Sequence, residues 1–254
     1  MALRNDEVRA YWEGGACGTE GVIVGDAEPL SRAWFARIEA HRYAAEPMIH
    51  AVAQFTRHHG ARLLEIGVGA GTDHLQWARA GAECHGVDLT EEAITTTRAH
   101  LALHGFHSDL RRIDAEVLPF ADASFEVVYS WGVIHHSARP EAIVAEIHRV
   151  LEPGGVFIGM LYHRRSLAAF RVWVRRALLA GRPWRSLAEV IWHHVESVGT
   201  KAYTVAEVEA LFRAFATVEV RPVLTPYDTL YWPRRLARFF PDEAGWFLTL
   251  RARR

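Results

Sequence analysis

The sequence predicts an α/β protein with a mostly parallel sheet, and three observations support this prediction. From residue 61 onward, short apolar runs alternate with stretches of helical periodicity, which is the pattern of strand–helix–strand units. A glycine-rich turn, Gly67–Gly71, joins the first apolar run to the first helical stretch. Half of the 254 residues are apolar, so the chain can bury one substantial core.

Residues 1–60 are predicted to be a helical segment that packs over the ligand site of the remaining chain, with a loop at Gly14–Gly25. Over Arg32–His58, aromatic and aliphatic residues recur at three- and four-residue steps, as they do in amphipathic helices. Pro47 is expected to begin a new helix there. The rest of the chain, residues 61–254, is predicted to be one α/β domain.

The α/β domain is predicted to begin with five strands and three helices in alternation. The second helix has the clearest start, because Thr90 is a good N-cap and Glu91 and Glu92 place negative charge in the first turn. The predicted strands cover 61–66, 83–88, 109–113, 125–130 and 156–161. The predicted helices cover 72–80, 90–103 and 140–151.

The alternation stops after Tyr162. Residues 164–198 are rich in arginine and tryptophan, and we predict a helical insertion that forms a cap. A helix over 204–215 and strands over 217–223 and 245–252 follow. This ending predicts a seven-stranded sheet with one antiparallel strand and with helices on both faces.

Charge and cysteine content exclude several classes of protein. A formal net charge of −1 argues against a dedicated nucleic-acid binder. Cys17 and Cys84 form no CxxC pair and no zinc-type ligand spacing occurs, so we predict no bound metal and reduced thiols.

The chain starts without a signal-peptide pattern and has no run of about 18 apolar residues, so no transmembrane segment and a cytoplasmic location are predicted. Lys201 is the only lysine in the sequence, which disfavours an enzyme that forms a Schiff base through a lysine.

The strongest motif is LLEIGVGAGTD, which runs from Leu63 to Asp73. An apolar strand ends beside an acidic residue, and a G-x-G-x-G turn then opens a helix. Glycine allows the sharp turn and the close approach of a ligand, and the helix N-terminus offers unpaired N–H groups. A dinucleotide fingerprint would place a third small residue where this chain has Thr72, so the motif favours a cofactor without pyrophosphate over NAD.

Acidic residues also end the next two strands. The Asp88 carboxylate can accept hydrogen bonds from both hydroxyls of a ribose, and the following Leu89 can lie against an adenine ring. After the third strand, Asp114 can accept from an adenine amino group while a neighbouring backbone N–H, in Ala115 or Glu116, meets a ring nitrogen. The carboxyl edge of an open α/β sheet is where such ligands bind.

In this order and spacing, the motifs resemble those of the class I S-adenosylmethionine (SAM)-dependent methyltransferases, specifically the group related to ubiquinone and menaquinone biosynthesis methyltransferases. The resemblance covers about Arg62–Met160 and includes Leu118–Phe125 (LPFADASF) and Arg149–Gly155 (RVLEPGG). It implies a Rossmann-like fold, SAM as the cofactor, S-adenosylhomocysteine as the product, and methyl transfer to a small molecule.

The resemblance also implies roles for individual residues. The methionine end of SAM would be lined by one acidic residue and three glycines, namely Glu65, Gly67, Gly69 and Gly71. Asp88 would hold the ribose, and Asp114 and Ala115 the adenine. Ser130 would form the inner wall beside the sulfonium.

Methyl transfer from a sulfonium is an in-line displacement with a neutral leaving group, so it requires no metal and no acid. A general base matters only where the acceptor arrives protonated. The candidates for a base or for orienting the acceptor are His135 and His136, shortly after the fourth strand, and Tyr162 and His163, at the end of the fifth. His135 is also a candidate for lining the cofactor pocket. The chain has 15 histidines, so most are expected to be structural.

The sequence does not identify the acceptor. Arginines of the insertion could meet an anionic acceptor or a membrane surface that carries an amphipathic one, or could form a solvated helix face. Four residues of the N-terminal helices, Tyr11, Trp12, Arg42 and Tyr43, could close the pocket, or their aromatic rings could belong to the core. Three alternatives stay open: an NAD(P)-dependent oxidoreductase on a related sheet, a methyltransferase acting on a lipid, quinone or macromolecule, and a binding protein without activity. The oligomeric state is also open.

Overall fold

The computed structural model describes residues 5–230 and 232–254. These residues form one seven-stranded sheet, in the order β3-β2-β1-β4-β5-β7-β6. The strands are β1 (Arg62–Ile66), β2 (Glu83–Asp88), β3 (Asp109–Arg112), β4 (Phe125–Trp131), β5 (Leu151–Tyr162), β6 (Thr217–Val223) and β7 (Phe247–Arg253). β1 to β5 pair in parallel, whereas β7 runs antiparallel to both β5 and β6. The predicted mostly parallel sheet with one antiparallel strand is confirmed.

Helices cover both faces of the sheet, as predicted. They are α1 (Asn5–Trp12), α2 (Gly21–Val24), α3 (Arg32–Ala45), α4 (Ile49–Ala53), α5 (Thr72–Arg79), α6 (Glu91–Leu103), α7 (Pro140–Val150), α8 (Leu167–Trp173), α9 (Leu187–His194), α10 (Val205–Leu211), α11 (Pro226–Thr229) and α12 (Arg234–Ala237). Short 3₁₀ turns cover Phe55–His58, Ile134–His136 and Asp242–Ala244, and a π-helical turn covers Val174–Leu178. Within the described residues, none of these helices is long and apolar enough to cross a membrane.

Side chains alternate across the sheet and build a separate core on each face. Leu63 of β1 packs on the face covered by α5 and α6, whereas Leu64 packs on the face covered by α7 and α10. β4 alternates in the same way, with Tyr129 on the first face and Val128 on the second. Because helices cover both faces, the central strands β1 and β4 are mostly buried and rich in apolar residues, which made them visible in the sequence.

Three element boundaries differ from the sequence prediction. β5 begins at Leu151 rather than at residue 156, because the buried Leu151 pairs with Phe125 across a register shift. α4 begins at Ile49, two residues after Pro47. α10 ends at Leu211 rather than at residue 215, and the chain then turns so that the buried side chains of Phe212 and Phe215 enter the core.

The predicted helical insertion is present as α8, the π-helical turn and α9. A second excursion, between β6 and β7, was missed, and it contains α11 and α12. Its anchor is the buried Asp228 carboxylate, which accepts hydrogen bonds from the backbone N–H groups of Ala168, Thr225 and Trp246. Asp228 therefore ties this excursion to the insertion and to the start of β7.

Candidate cofactor site

A cleft that encloses about 1110 Å³ of space, including solvent at its open mouth, lies at the carboxyl ends of β1, β2 and β4. This is the edge at which open parallel sheets bind ligands. The residues from the sheet side include Glu65, Val87, Asp88 and Trp131. The opposite wall comes from the N-terminal segment, with Asn5, Val8, Trp12, Ala16, Cys17 and Arg42.

The glycine turn forms the floor of the cleft. Gly67, Gly69 and Gly71 all have left-handed backbone conformations, with φ of 82°, 53° and 73°. A Cβ on Gly67 would lie 2.2 Å from Cγ2 of Val133, so only glycine fits. Gly67 and Gly69 line the cleft, whereas Gly71 lies behind it, packs against Thr97 of α6 and caps α5.

The Asp88 carboxylate faces the glycine turn across the cleft wall. Its Oδ2 accepts from the Gly69 N–H at 3.2 Å, and its Oδ1 accepts from the N–H and hydroxyl of Thr90 at 3.0 and 2.9 Å. Burial raises the pKa of Asp88, although these hydrogen bonds act in the opposite direction. Each carboxylate oxygen can accept more than one hydrogen bond, so Asp88 can still accept a hydrogen bond from a ligand hydroxyl.

Glu65 is paired with a histidine that the sequence analysis did not single out. Its Oε2 lies 3.0 Å from Nδ1 of His74. The Ser108 hydroxyl donates to the Cys84 carbonyl at 2.7 Å, so it accepts from Nε2–H of His74 at 2.9 Å. A neutral His74 therefore has no hydrogen on Nδ1.

Burial and the nearby Asp73 carboxylate raise the pKa of Glu65 well above its usual range, and burial lowers the pKa of His74 to about 4. Both directions favour a neutral pair, in which the Glu65 carboxyl group donates its proton to Nδ1 of His74. A cation that arrives beside Glu65 would favour the carboxylate form instead. Binding of a cationic ligand beside Glu65 would thus favour release of a proton from this pair.

Arg42 brings a positive charge to the same end of the cleft. Its Nη2 lies 2.5 Å from Oδ2 of Asp73, and its Nη1 lies 3.7 Å from Oε2 of Glu46. Asp73 also accepts from the hydroxyls of Tyr43 and Tyr129, at 3.1 and 2.8 Å. Burial acts to lower the pKa of Arg42, but the two carboxylates outweigh it and raise the pKa. Arg42 is therefore a permanent cation held in place by α3 and α5.

Asp114 and Ala115 line the far end of the cleft, where Asp114 contacts α1. Its Oδ2 accepts from the Asn5 side chain at 2.8 Å. Glu116 is not among the described residues that line the cleft. It accepts from Asn5, from the Ser137 hydroxyl at 2.6 Å and from Arg139, and these hydrogen bonds outweigh burial and lower its pKa. Glu116 thus anchors α1 to the loop after β4.

Ser130 also lies outside the described lining of the cleft. It is fully buried, and its hydroxyl donates to the Ile66 carbonyl at 3.0 Å, which links β4 to β1 beneath the cleft. The next residue, Trp131, lines the cleft instead and donates from Nε1 to Glu46 at 2.5 Å.

Of the four residues predicted to be catalytic, His136 is the one that lines the cleft in the described part of the chain. His135 is fully buried behind it, with its ring 3.9 Å from the ring of Tyr162. The Tyr162 hydroxyl donates to Oε1 of Glu196 at 2.9 Å. His163 points toward β7, where its Nδ1 contacts the Gly245 carbonyl at 2.9 Å.

Comparison with known proteins agrees with this geometry. Residues 64–159 match the family described as "Methyltransferase domain". The ubiquinone biosynthesis O-methyltransferase of Ruegeria pomeroyi is 38% identical over 99 residues, which cover 39% of this chain and 40% of that protein. The protein of the same description from Sinorhizobium fredii is 32% identical over 125 residues, which cover 49% and 50%. The chain thus matches about half of the length of these curated relatives or less.

Solved structures share the fold over most of the chain. An S-adenosylmethionine-dependent methyltransferase from Mesorhizobium loti matches 82% of this chain and 97% of its own, with a TM-score of 0.60 and 22% identity. The [4+2]-cyclase SpnF matches 98% and 92%, with a TM-score of 0.58 and 18% identity. The fold is therefore the class I methyltransferase fold that the sequence predicted. More particularly, residues 64–159 match the methyltransferase-domain family, in agreement with the resemblance of the motifs.

Proposed function

We propose that the protein is a SAM-dependent methyltransferase that transfers a methyl group to a small-molecule acceptor by in-line displacement. The observation that supports this most strongly is the pairing of Asp88 with the Gly69 N–H on the wall of one open cleft. That arrangement offers a carboxylate to a ribose beside a glycine-lined space for an amino-acid tail. The named function of the curated relatives supports the same activity.

The residues present fit SAM at each of its polar groups. Glu65 suits the ammonium group, because a buried acid becomes a carboxylate beside a cation. Gly67 and Gly69 leave room for the methionine chain, and Arg42 supplies a cation near the carboxylate. Asp88 suits the ribose, with Leu89 beside the adenine ring. Asp114, Ala115 and Ile113 form the adenine end.

When bound, SAM supplies an activated methyl group and a neutral thioether leaving group. The protein's own residues bind it, orient it and exclude water. Trp12, Trp131 and Val133 give the cleft apolar walls beside the glycine turn. Four of the residues predicted to bind the cofactor do not line the described cleft, namely Gly71, Glu116, Ser130 and His135, and the first three are proposed to support its shape from behind.

We place the acceptor at the end of the cleft where Trp12, Cys17 and His136 meet. A small molecule that carries a hydroxyl group suits this position, since the curated relatives are O-methyltransferases. The net charge of −1 disfavours nucleic acid as the acceptor. Two free cysteines suit a reducing, cytoplasmic location. Of the four predicted catalytic residues, we retain His136 as the one that faces the acceptor.

Calorimetric titration with SAM and with NADH tests the cofactor. We expect SAM and S-adenosylhomocysteine to bind with one site per chain and NADH not to bind. Asp88→Asn should weaken SAM binding by about 10–100-fold, because a hydrogen-bond acceptor for the ribose is lost. The exposed Glu209→Gln is the matched control and should bind like wild type. Binding of NADH but not of SAM would overturn the proposal in favour of an oxidoreductase.

Methyl transfer itself is tested by release of S-adenosylhomocysteine in the presence of a panel of phenols, catechols and aliphatic alcohols. We expect acceptor-dependent release from at least one hydroxyl compound. Tight binding of SAM without release from any acceptor would instead point to a binding protein.

A further inference from the structure

Two histidines and a glutamate meet at the acceptor end of the cleft. His135 and His136 belong to the turn after β4, and Glu196 lies in the loop after α9. One ring nitrogen of each histidine and one carboxylate oxygen of Glu196 lie within 4.8 Å of one another. His136 itself lines the cleft. The insertion and the sheet therefore each supply part of one polar cluster.

The hydrogen-bond pattern places the proton of a neutral His136 on Nδ1. The buried Thr200 hydroxyl donates to the Ser197 carbonyl at 2.7 Å, so toward the histidine it can only accept. Its Oγ1 lies 3.0 Å from Nδ1 of His136, as does the Ser197 hydroxyl. Nδ1 therefore carries the hydrogen, and Nε2 presents a lone pair. Metal-binding histidines are commonly oriented in the same way, by a hydrogen bond from the ring nitrogen that does not bind the metal.

The Glu196 carboxylate lies beside Nε2 of His136. Nε2 lies 3.1 Å from Oε2, yet it has no aligned hydrogen-bond partner within the described residues. Two atoms that bind one metal ion at about 2.1 Å, in neighbouring positions, lie roughly 3.0–3.4 Å from each other. Nε2 and Oε2 are thus not aligned as a hydrogen bond, and the 3.1 Å between them is the distance expected between two ligand atoms of one metal ion.

His135 supplies the second, independent indication of a ligand. Its side chain is fully buried, and neither ring nitrogen finds a hydrogen-bond partner among residues 5–230 and 232–254. Buried polar atoms without partners are rare in folded proteins and call for an explanation. A metal ion beside His136 would satisfy one of these nitrogens.

The backbone and one neighbour hold Glu196 toward the histidines. Glu196 adopts a left-handed conformation, with φ of 53°, which is strained for a residue other than glycine. The Tyr162 hydroxyl donates to Oε1, which leaves Oε2 directed at His136. The Glu196 carboxylate is therefore held toward His136 although the backbone conformation of Glu196 is energetically unfavourable.

We propose that His135, His136 and Glu196 bind a divalent first-row transition-metal ion, of the Mn²⁺ to Zn²⁺ series, which binds an oxygen atom of the acceptor. Two imidazoles and one carboxylate are the ligand set that these ions take in open sites, whereas Mg²⁺ and Ca²⁺ prefer oxygen ligands. Three protein ligands leave positions for water or substrate, and His136 places them on the cleft side. The sequence predicted no metal, because Glu196 is far from the histidine pair in the chain.

The role in catalysis rests on the proposed methyl transfer, but metal binding does not. An acceptor hydroxyl bound to the ion would release its proton to water, since a metal ion lowers the pKa of a bound hydroxyl. The resulting oxyanion then forms its bond to the methyl carbon as the carbon–sulfur bond breaks.

Metal binding is tested by titrating the chelator-treated 254-residue protein with Co²⁺ and recording visible absorption. Wild type should bind one ion per chain. His136→Ala and Glu196→Gly should each weaken Co²⁺ binding by more than about tenfold. Glycine suits the left-handed backbone at 196, so Glu196→Gly removes the ligand without straining the fold, which the thermal melting temperature checks. The control is His193→Ala/His194→Ala, which removes an exposed consecutive pair on α9 and should bind like wild type.

The metal site would be overturned if the His193→Ala/His194→Ala control lost Co²⁺ binding. It would also be overturned if His136→Ala and Glu196→Gly both bound Co²⁺ as wild type does. SAM titration of the same metal-free protein separates this outcome from failure of the proposed function. If the metal-free protein still binds SAM but transfers methyl groups only after metal is added, the proposed role of the ion in binding the acceptor is supported. Undiminished methyl transfer by metal-free protein contradicts that role, and failure to bind SAM while Co²⁺ still binds contradicts only the proposed function.

Discussion

The backbone nitrogen of Gly69 lies 3.2 Å from Oδ2 of Asp88, so the glycine turn and the acid at the end of β2 are joined by a direct hydrogen bond. Gly69 lies in the turn after β1 and Asp88 ends β2, and the carboxyl ends of these adjacent parallel strands meet at one edge of the sheet. The cleft is therefore shaped by contacts within the sheet before any ligand binds, which reduces the ordering needed for binding.

Replacing Gly67 with alanine should abolish the cleft's shape. The new Cβ would lie 2.2 Å from Cγ2 of Val133, on a backbone with φ of 82°. Gly60→Ala is the matched control, because Gly60 has φ of 76° and no described atom within 4 Å of its added Cβ. The backbone strain, about 1–2 kcal/mol, is common to both variants. We expect Gly67→Ala to lose stability well beyond Gly60→Ala in thermal unfolding, and to lose SAM binding; equal losses would contradict the steric account.

SAM binding should release a proton from Glu65. The raised pKa favours the protonated form of this carboxyl group in the protein without SAM, whereas the ammonium of SAM favours the carboxylate. Affinity should therefore rise with pH as long as the pH stays below that raised pKa. Calorimetry in phosphate and in Tris, which differ in ionisation enthalpy, measures the proton count. Glu65→Gln should show no release and weaker binding; identical heats in both buffers for wild type would refute this proton linkage.

Asn5 should couple α1 to the adenine end of the cleft. Its Nδ2 donates to Asp114 at 2.8 Å and to Glu116 at 2.6 Å, and its Oδ1 accepts from the Ala138 N–H at 2.8 Å. Asn5→Ala removes three hydrogen bonds at the mouth of the cleft. We expect a loss of about 1–3 kcal/mol in unfolding free energy, measured in urea, and weaker SAM binding. Glu7→Ala, an exposed position on the same helix, should change neither quantity.

Ser130→Ala separates a structural role from contact with the cofactor. The hydroxyl bridges β4 and β1, so its loss should lower the unfolding free energy by about 1 kcal/mol. Because the side chain lies beneath the cleft, SAM affinity should stay within about twofold of wild type. A drop in affinity beyond about tenfold, without loss of stability, would return Ser130 to the cofactor site that the sequence resemblance implied.

Much of the fold could be predicted from the sequence, because local patterns determine it. Both faces of the sheet are covered, so central strands such as Phe125–Trp131 are mostly apolar and stand out between helical stretches. Strand ends could be predicted as the site, since parallel strands bring Glu65 and Asp88 to one edge. The excursion between β6 and β7 was missed because its helices are one turn long and have no clear periodicity.

Side-chain direction and long-range partners could not be predicted in the same way. Ser130 and Trp131 are neighbours on β4, and alternation along the strand decides which of them reaches the cleft. His74 was hidden among 15 histidines, and only the fold brings it to Glu65. Glu196 reaches the histidine pair across the sequence through a left-handed turn that no local pattern marks.

The central claim is that the cleft between Asp88 and the glycine turn is the SAM site. The most direct measurement is a crystal structure of the protein with S-adenosylhomocysteine. We predict that both ribose hydroxyls lie within hydrogen-bond distance of the Asp88 carboxylate and that the amino-acid tail rests on Gly67 and Gly69. Density for the nucleoside elsewhere in the protein, with this cleft still empty, would contradict the claim.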